Sequence, residues 1–144
     1  MLTTEQASFL YYSSHSYLAT VAVALATQNY NIALSPAAVF LTSINYWRDP
    51  KYGWRKNIDA VVACTSIVVH EALAIQLQIP LTYIIITNVG LLSYPIGVAL
   101  MKYENKWPAT VAHAFLHLYT AVVSIALLTA TVHSSAVMST KSRP

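Results

Sequence analysis

The chain has 144 residues, of which 56% are hydrophobic and only 9% charged, and its formal net charge is +3. A soluble domain carries roughly a quarter charged residues, so this composition argues against a soluble globular fold and favours a lipid environment. The Lys and Arg residues cluster at the ends of apolar runs instead of forming a basic stripe. They therefore indicate membrane topology, and nucleic acid is not an expected partner.

Five apolar segments, separated by short polar stretches, follow one another along the chain. They cover residues 7–26, 32–47, 57–78, 81–101 and 107–131. A helix of about 20 residues, rising 1.5 Å per residue, crosses roughly 30 Å of hydrocarbon. The sequence therefore predicts a single domain over residues 1–144, an all-α integral membrane bundle with about five transmembrane helices.

The second segment is the shortest, and its start carries a typical signal. Ser35 suits an N-cap and Pro36 suits the first helical position, although residues 32–34 extend the helix if it begins earlier. Pro80 separates the third and fourth segments so closely that we expect an antiparallel hairpin. On the fourth segment, Gly90 and Gly97 lie seven residues apart, which predicts one face for close helix packing.

The polar loop after the second segment covers residues 48–56. Trp47, Tyr52 and Trp54 around this loop are typical of the aromatic belt at a membrane interface. Basic side chains reach the same depth, so we expect Arg55 or Lys56 to contact Asp59 or a lipid phosphate.

The basic residues also predict an orientation. With five crossings, the N-terminus and the loops after the second and fourth helices share one side of the membrane. That side collects Arg48, Lys51, Arg55, Lys56, Lys102 and Lys106, whereas the other side has Lys141 and Arg143. The N-terminus is therefore expected in the cytoplasm, or in the matrix or stroma of an organelle, with the C-terminus across the membrane.

Ionisable residues inside apolar segments are candidates for function, because an unpaired charge is costly in a membrane. His113 and His117 form an i, i+4 pair on one helix face, which can present two imidazoles to one metal ion. The third ligand must come from another helix, and His15, Asp59 and His70 are the candidates. Alternatively, these histidines are neutral and hydrogen-bonded to neighbouring helices.

Three further hypotheses concern Asp59, Glu71 and His70 of the third segment. Asp59 lies near the helix start, where its carboxylate complements the helix dipole. Glu71 lies deep in the segment, so it is protonated, paired with a histidine or turned to a wet cavity. His70 facing His113 or His117 would provide two axial ligands for haem b.

The pattern of Ser43 near the end of one helix, Asp59 near the start of the next, and the His113/His117 pair resembles a known superfamily, the alkaline ceramidases and the progestin and adipoQ receptors. In that family a Ser, an Asp and three His form a zinc site for amide hydrolysis of lipids. The resemblance implies Asp59, His113 and His117 as zinc ligands, with Ser43 and Asp59 as catalytic residues. The family has seven helices, and it has a further histidine one turn after the serine, where this chain has Trp47.

Three functions from different classes remain open. The first is a non-catalytic accessory or assembly subunit of a larger membrane complex, in contact with the lipid bilayer and other membrane subunits. The second is a zinc-dependent, amidase-like lipid hydrolase or a degenerate relative of one, and the third is a haem b protein. The first is favoured because it requires no missing ligand, so whether the chain is an enzyme stays open.

Overall fold

The computed structural model describes residues 2–51 and 53–141, with side chains described as far as residue 131. Tyr52 and Arg143, which enter the predictions above, lie outside these residues. All regular structure in the described part of the chain is helical, so the prediction of an all-helical protein is confirmed.

Seven helices follow one another in residues 2–51 and 53–141. They are α1 (Thr4–Ser13), α2 (Ser16–Ala26), α3 (Tyr30–Trp47), α4 (Trp54–Gln76), α5 (Leu81–Leu91), α6 (Ser93–Leu100) and α7 (Trp107–Lys141). Two pairs, α1 with α2 and α5 with α6, nearly continue one another. Each of the five apolar segments is therefore helical, but the first and fourth are interrupted.

The interruption between α1 and α2 has a local cause. The hydroxyl groups of Ser13 and Ser14 each lie 2.9 Å from the carbonyl oxygen of Leu10. Serine hydroxyls compete in this way with backbone hydrogen bonds and bend helices. The backbone then makes tighter bonds across the break, such as that from His15 N to the Tyr12 oxygen at 3.0 Å.

Two helix boundaries differ from those in the sequence analysis. α3 begins at Tyr30, so Pro36 lies inside the helix, and Ser35 is not its N-cap. The Ser35 hydroxyl instead lies 2.6 Å from that of Ser66 on α4. Pro36 is the seventh residue of α3, so it cannot donate a backbone hydrogen bond to the oxygen of Ile32, and a proline at such a position bends a helix. α7 continues to Lys141 because no Gly or Pro follows residue 131 until Pro144.

The core of the bundle consists of three layers, to each of which α1 or α2, α3 and α7 contribute a buried residue. The layers are Leu10 with Trp47 and Ala114, Tyr17 with Val39 and Ala121, and Ala24 with Ala33 and Leu128. Within α1–α2 and within α7 the contributing residues are seven apart, which is the spacing of coiled-coil packing. The first and last helical segments therefore run parallel, and α3 runs antiparallel to both and packs mainly against α2.

Among the described residues, three helical segments are long and apolar enough to cross a membrane. They are Trp54–Gln76, Leu81–Leu100 and Trp107–Thr131. The outer face of α4 exposes Val61, Val68 and Ile75, again seven residues apart. An apolar stripe that faces away from the bundle suits contact with lipid or with another apolar helix.

A substitution at Gly90 tests the contact between α5 and α7. A Cβ atom added at Gly90 would overlap the ring of Tyr119, whose hydroxyl donates to the Ile86 oxygen at 2.7 Å. We expect Gly90→Ala to lower the free energy of unfolding by about 1–3 kcal/mol, because overpacking displaces that ring.

Gly97→Ala is the matched control on α6. An added Cβ there meets its nearest atom at 3.5 Å, an ordinary contact, so stability should be unchanged or slightly higher. Unfolding in mixed micelles measures both variants, and equal stabilities would contradict this account of the α5–α7 contact.

Candidate functional site

A cavity of about 410 Å³ lies between α3, α4, α6 and α7, toward the end of the bundle that carries the loop 48–56. The sequence-predicted residues Ser43, Asp59, His113 and His117 all line it, whereas His70 does not. Apolar side chains form most of the remaining wall. Such a cavity, apolar with a few convergent polar groups, is the usual form of a binding site.

The carboxyl group of Asp59 is held from α3. Ser43 Oγ donates to Asp59 Oδ1 at 2.7 Å, and Thr42 Oγ1 lies 3.1 Å from the same oxygen. The Thr42 hydroxyl is equally close to two backbone oxygens, and it has one hydrogen to donate, so Ser43 is the firmer donor. Arg55, one of the expected partners of Asp59, instead lies 3.8 Å from Asp49.

His117 joins α7 to the end of α1. Its Nδ1 atom lies 2.8 Å from Ser13 Oγ, and the Ser13 hydroxyl is also 2.9 Å from the Leu10 oxygen. Both contacts are satisfied when His117 Nδ1–H donates to Ser13 and Ser13 donates to Leu10. This tautomer leaves Nε2 of His117 as an acceptor for any group that enters the cavity.

Ring contacts hold His113 between two other side chains. Its ring centre lies 5.0 Å from that of Trp47 and 4.9 Å from that of His117, and both pairs are close to edge-on. Trp47 also lines the cavity, and its buried Nε1 has no hydrogen-bond partner among the described residues. The wall of the cavity thus contains an unpaired N–H group that is buried behind its surface.

The predicted zinc ligands share the cavity but do not form a metal site. Within the part of the chain whose side chains are described, no group of three His, Cys, Asp or Glu residues is placed to hold a metal ion. The physical reason is that Asp59 and His117 are directed to the hydroxyls of Ser43 and Ser13, on two different helices. The predicted set of Asp59, His113 and His117 therefore does not fit zinc in this arrangement.

The predicted haem ligands are also separated. His70 Nδ1 lies 3.1 Å from Ser124 Oγ on α7. Ser124 follows His117 by seven residues, which is about 10 Å along the helix. His70 thus packs two turns away from His117, and the two imidazoles do not face each other across a common space.

Two remaining polar residues lie outside the cavity. His15 at the junction of α1 and α2 binds the Tyr11 oxygen at 3.0 Å and packs against Phe40. Glu71 accepts a hydrogen bond from Asn88 on α5 at 2.6 Å, so its partner is an amide and not a histidine.

Sequence reasoning missed three contributors to the site, namely Ser13, Thr42 and the indole nitrogen of Trp47. The adjacent pair Ser13–Ser14 inside an apolar segment is the one signal that could have indicated a polar contact there. Comparison with known proteins finds no matching family model, curated protein or solved structure. The resemblance to the ceramidase and receptor superfamily therefore stays a prediction.

The hydrogen bond between Ser43 and Asp59 can be tested by a double-mutant cycle. Ser43→Ala should lower the free energy of unfolding by about 1–3 kcal/mol, because it leaves a half-buried carboxyl group without its main donor. The same change in an Asp59→Ala background should cost much less, since the two residues are coupled.

Thr65→Ala on the exposed side of α4 is the control for loss of a hydroxyl and should have little effect. Unfolding in mixed micelles again provides the measurement. An equal cost of Ser43→Ala in both backgrounds would show that the two side chains act independently.

Proposed function

We propose that the chain is an integral membrane protein that crosses the bilayer five times and serves as a non-catalytic accessory or assembly subunit of a larger membrane complex. One observation carries this proposal: the pair formed by Glu71 and Asn88 lies on the outer side of α4 and α5, among apolar side chains that face away from the bundle.

The depth of this pair makes it costly in lipid. Glu71 lies five residues before the end of α4, and Asn88 lies seven residues after the start of α5. At 1.5 Å per residue, both are about 8–10 Å from the helix ends and inside the apolar span. Exposed polar side chains at that depth cost free energy unless another helix pairs with them.

The hydrogen-bond acceptors that the Glu71–Asn88 pair leaves unused define what a partner helix would supply. The Asn88 amide donates to Glu71 at 2.6 Å and to the Ile84 oxygen at 2.9 Å, so both of its hydrogens are used. Asn88 Oδ1 and the second oxygen of Glu71 have no hydrogen-bond partner among the residues whose side chains are described. A donor side chain from a helix of another subunit would pair with both, in the manner of polar contacts between membrane helices.

Five crossings are supported by the layered core. The layers that start at Leu10 and Ala114 continue in parallel to Ala24 and Leu128, so α1–α2 extends along the same length as the apolar part of α7. α3 runs antiparallel to both and packs mainly against α2. Together with the three long apolar helices, this arrangement supports five crossings.

A second candidate is a degenerate relative of the lipid amidases that the sequence resembles. It is favoured by the observation that Ser43, Asp59, His113 and His117 line one cavity. Because the arrangement does not fit zinc, we assign no hydrolytic step to these residues. Stoichiometric zinc in the purified protein that is lost in His113→Ala would favour this candidate and overturn the accessory role.

Cysteine labelling tests the topology. In a Cys64→Ala background, Thr4→Cys and Lys51→Cys should react with a membrane-impermeant maleimide from the same side, because both lie at the end of the bundle with the basic loop. Gln78→Cys in the turn between α4 and α5 should react from the opposite side. Labelling of all three positions from one side would contradict the five-span arrangement.

The subunit role predicts that assembly depends on the polar pair. Glu71→Leu combined with Asn88→Leu should release the protein from its complex, so that it migrates as a monomer in native electrophoresis of mildly solubilised membranes. Thr82→Leu is the control for a polar-to-apolar change on the exposed side of α5 and should leave migration unchanged. Monomeric migration of the wild-type protein from its own membrane would contradict the proposal.

A further inference from the structure

An open groove of about 620 Å³ runs between α1 and α3, on the opposite side of Trp47 from the cavity described above. Arg48, Asp49 and Lys51 lie at its outer end, and Tyr11, Leu41 and Ile44 line its deeper part. We infer that this α1–α3 groove binds the headgroup and the upper acyl chain of an anionic phospholipid. The inference rests on the proposed membrane embedding, but it does not require a partner subunit.

The groove follows from the break between α1 and α2. α2 packs closely along α3, whereas α1 lies nearer to α7. The hydrogen bond between Ser13 and His117 holds α1 in that position. The two helices α1 and α3 consequently diverge toward the loop 48–56, and the space between them is built into the fold.

The charge at the outer end is positive. Lys51 lies 3.0 Å and Arg55 lies 3.8 Å from the single carboxylate of Asp49, while Arg48 has no ion-pair partner among the described residues. Two cations, Arg48 and Lys51, therefore line the outer end of the groove with one carboxylate, and that carboxylate is also near Arg55 outside the groove. Basic pockets at the end of membrane helices bind anionic headgroups for this reason.

The deeper part of the groove is mostly apolar and of limited length. Ala7, Leu41 and Ile44 form its walls, with Ser8 and Asn45 as polar residues, and Tyr11 and Tyr12 flank its inner end. From Thr3 to Tyr12 the groove extends nine residues, or about 13 Å along α1. This length accommodates a headgroup and part of one chain, and a free phosphate ion would leave the apolar walls uncovered.

Native mass spectrometry tests the inference with the full-length protein in detergent. The protein is delipidated and titrated with dioleoyl phosphatidylglycerol and, separately, with dioleoyl phosphatidylcholine. We expect one phosphatidylglycerol to bind more tightly than phosphatidylcholine. Arg48→Gln should weaken the phosphatidylglycerol affinity about fivefold, as expected for one cation near a headgroup.

Matched variants separate a specific site from general attraction. Lys102→Gln removes one positive charge from the loop after α6, outside the groove, and should leave the affinity unchanged. Arg48→Lys keeps the charge and should retain most of the binding. Ile44→Trp fills the groove and should abolish the preference while the protein stays folded, as judged by its thermal midpoint.

Three results would overturn the inference. They are equal affinity for the two lipids, equal losses in Arg48→Gln and Lys102→Gln, and displacement of the lipid by millimolar inorganic phosphate. A change of oligomeric state in Ile44→Trp without a change in lipid binding would assign the groove to a protein contact instead. Failure of the membrane embedding itself would be visible separately, as a protein that stays in solution without detergent.

Discussion

A buried polar side chain needs a hydrogen-bond partner, and α7 supplies such partners to several other helices. His117 binds Ser13 at the end of α1, Thr120 binds Tyr17 on α2, and Ser124 binds His70 on α4. The backbone of α7 takes part as well, since the oxygen of Val123 accepts from Tyr83 on α5. These bonds fix the rotation of each helix about its own axis, which apolar contact with lipid cannot do.

The cavity and the groove both follow from this central position of α7. α4 is attached to α3 through the Ser35–Ser66 and Ser43–Asp59 bonds and contacts α7 only weakly, so a space remains between α4, α6 and α7. On the other side of α3, the attachment of α1 to α7 opens the groove. Trp47 at the end of α3 separates the two spaces and contributes to the walls of both.

The sequence predicts much of the helical framework, because long apolar runs leave few alternatives to helices in a membrane. It also indicates that His113 and His117 share a face, since this depends only on the i, i+4 spacing. It could not predict which helix those imidazoles meet. α4 is apolar over most of its circumference, so its pattern leaves its rotation undetermined, and the contacts of Asp59 and Glu71 depend on that rotation.

The same reasoning explains why the sequence does not predict the break after Ser13. A serine in a membrane helix commonly bonds to its own backbone without interrupting the helix, and here the additional partner, His117, is 104 residues away in the sequence. The separation of His70 from His117 is likewise set by how far α4 is shifted along α7. Spacing along one helix carries no information about the height at which another helix packs.

The sequence distance between Ser13 and His117 also bears on how the protein is made. In the proposed five-span arrangement, at about 5–20 residues per second, α1 and α2 would enter the membrane roughly 5–20 seconds before α7 is synthesised. Ser13 and Ser14 tolerate this delay because each already binds the Leu10 oxygen, but the Tyr17 hydroxyl has its partner on the last helix. The bundle is thus complete only after its C-terminal helix has been inserted. A nascent chain stalled before α7 would hold its first helices in the bilayer with the Tyr17 hydroxyl still unpaired.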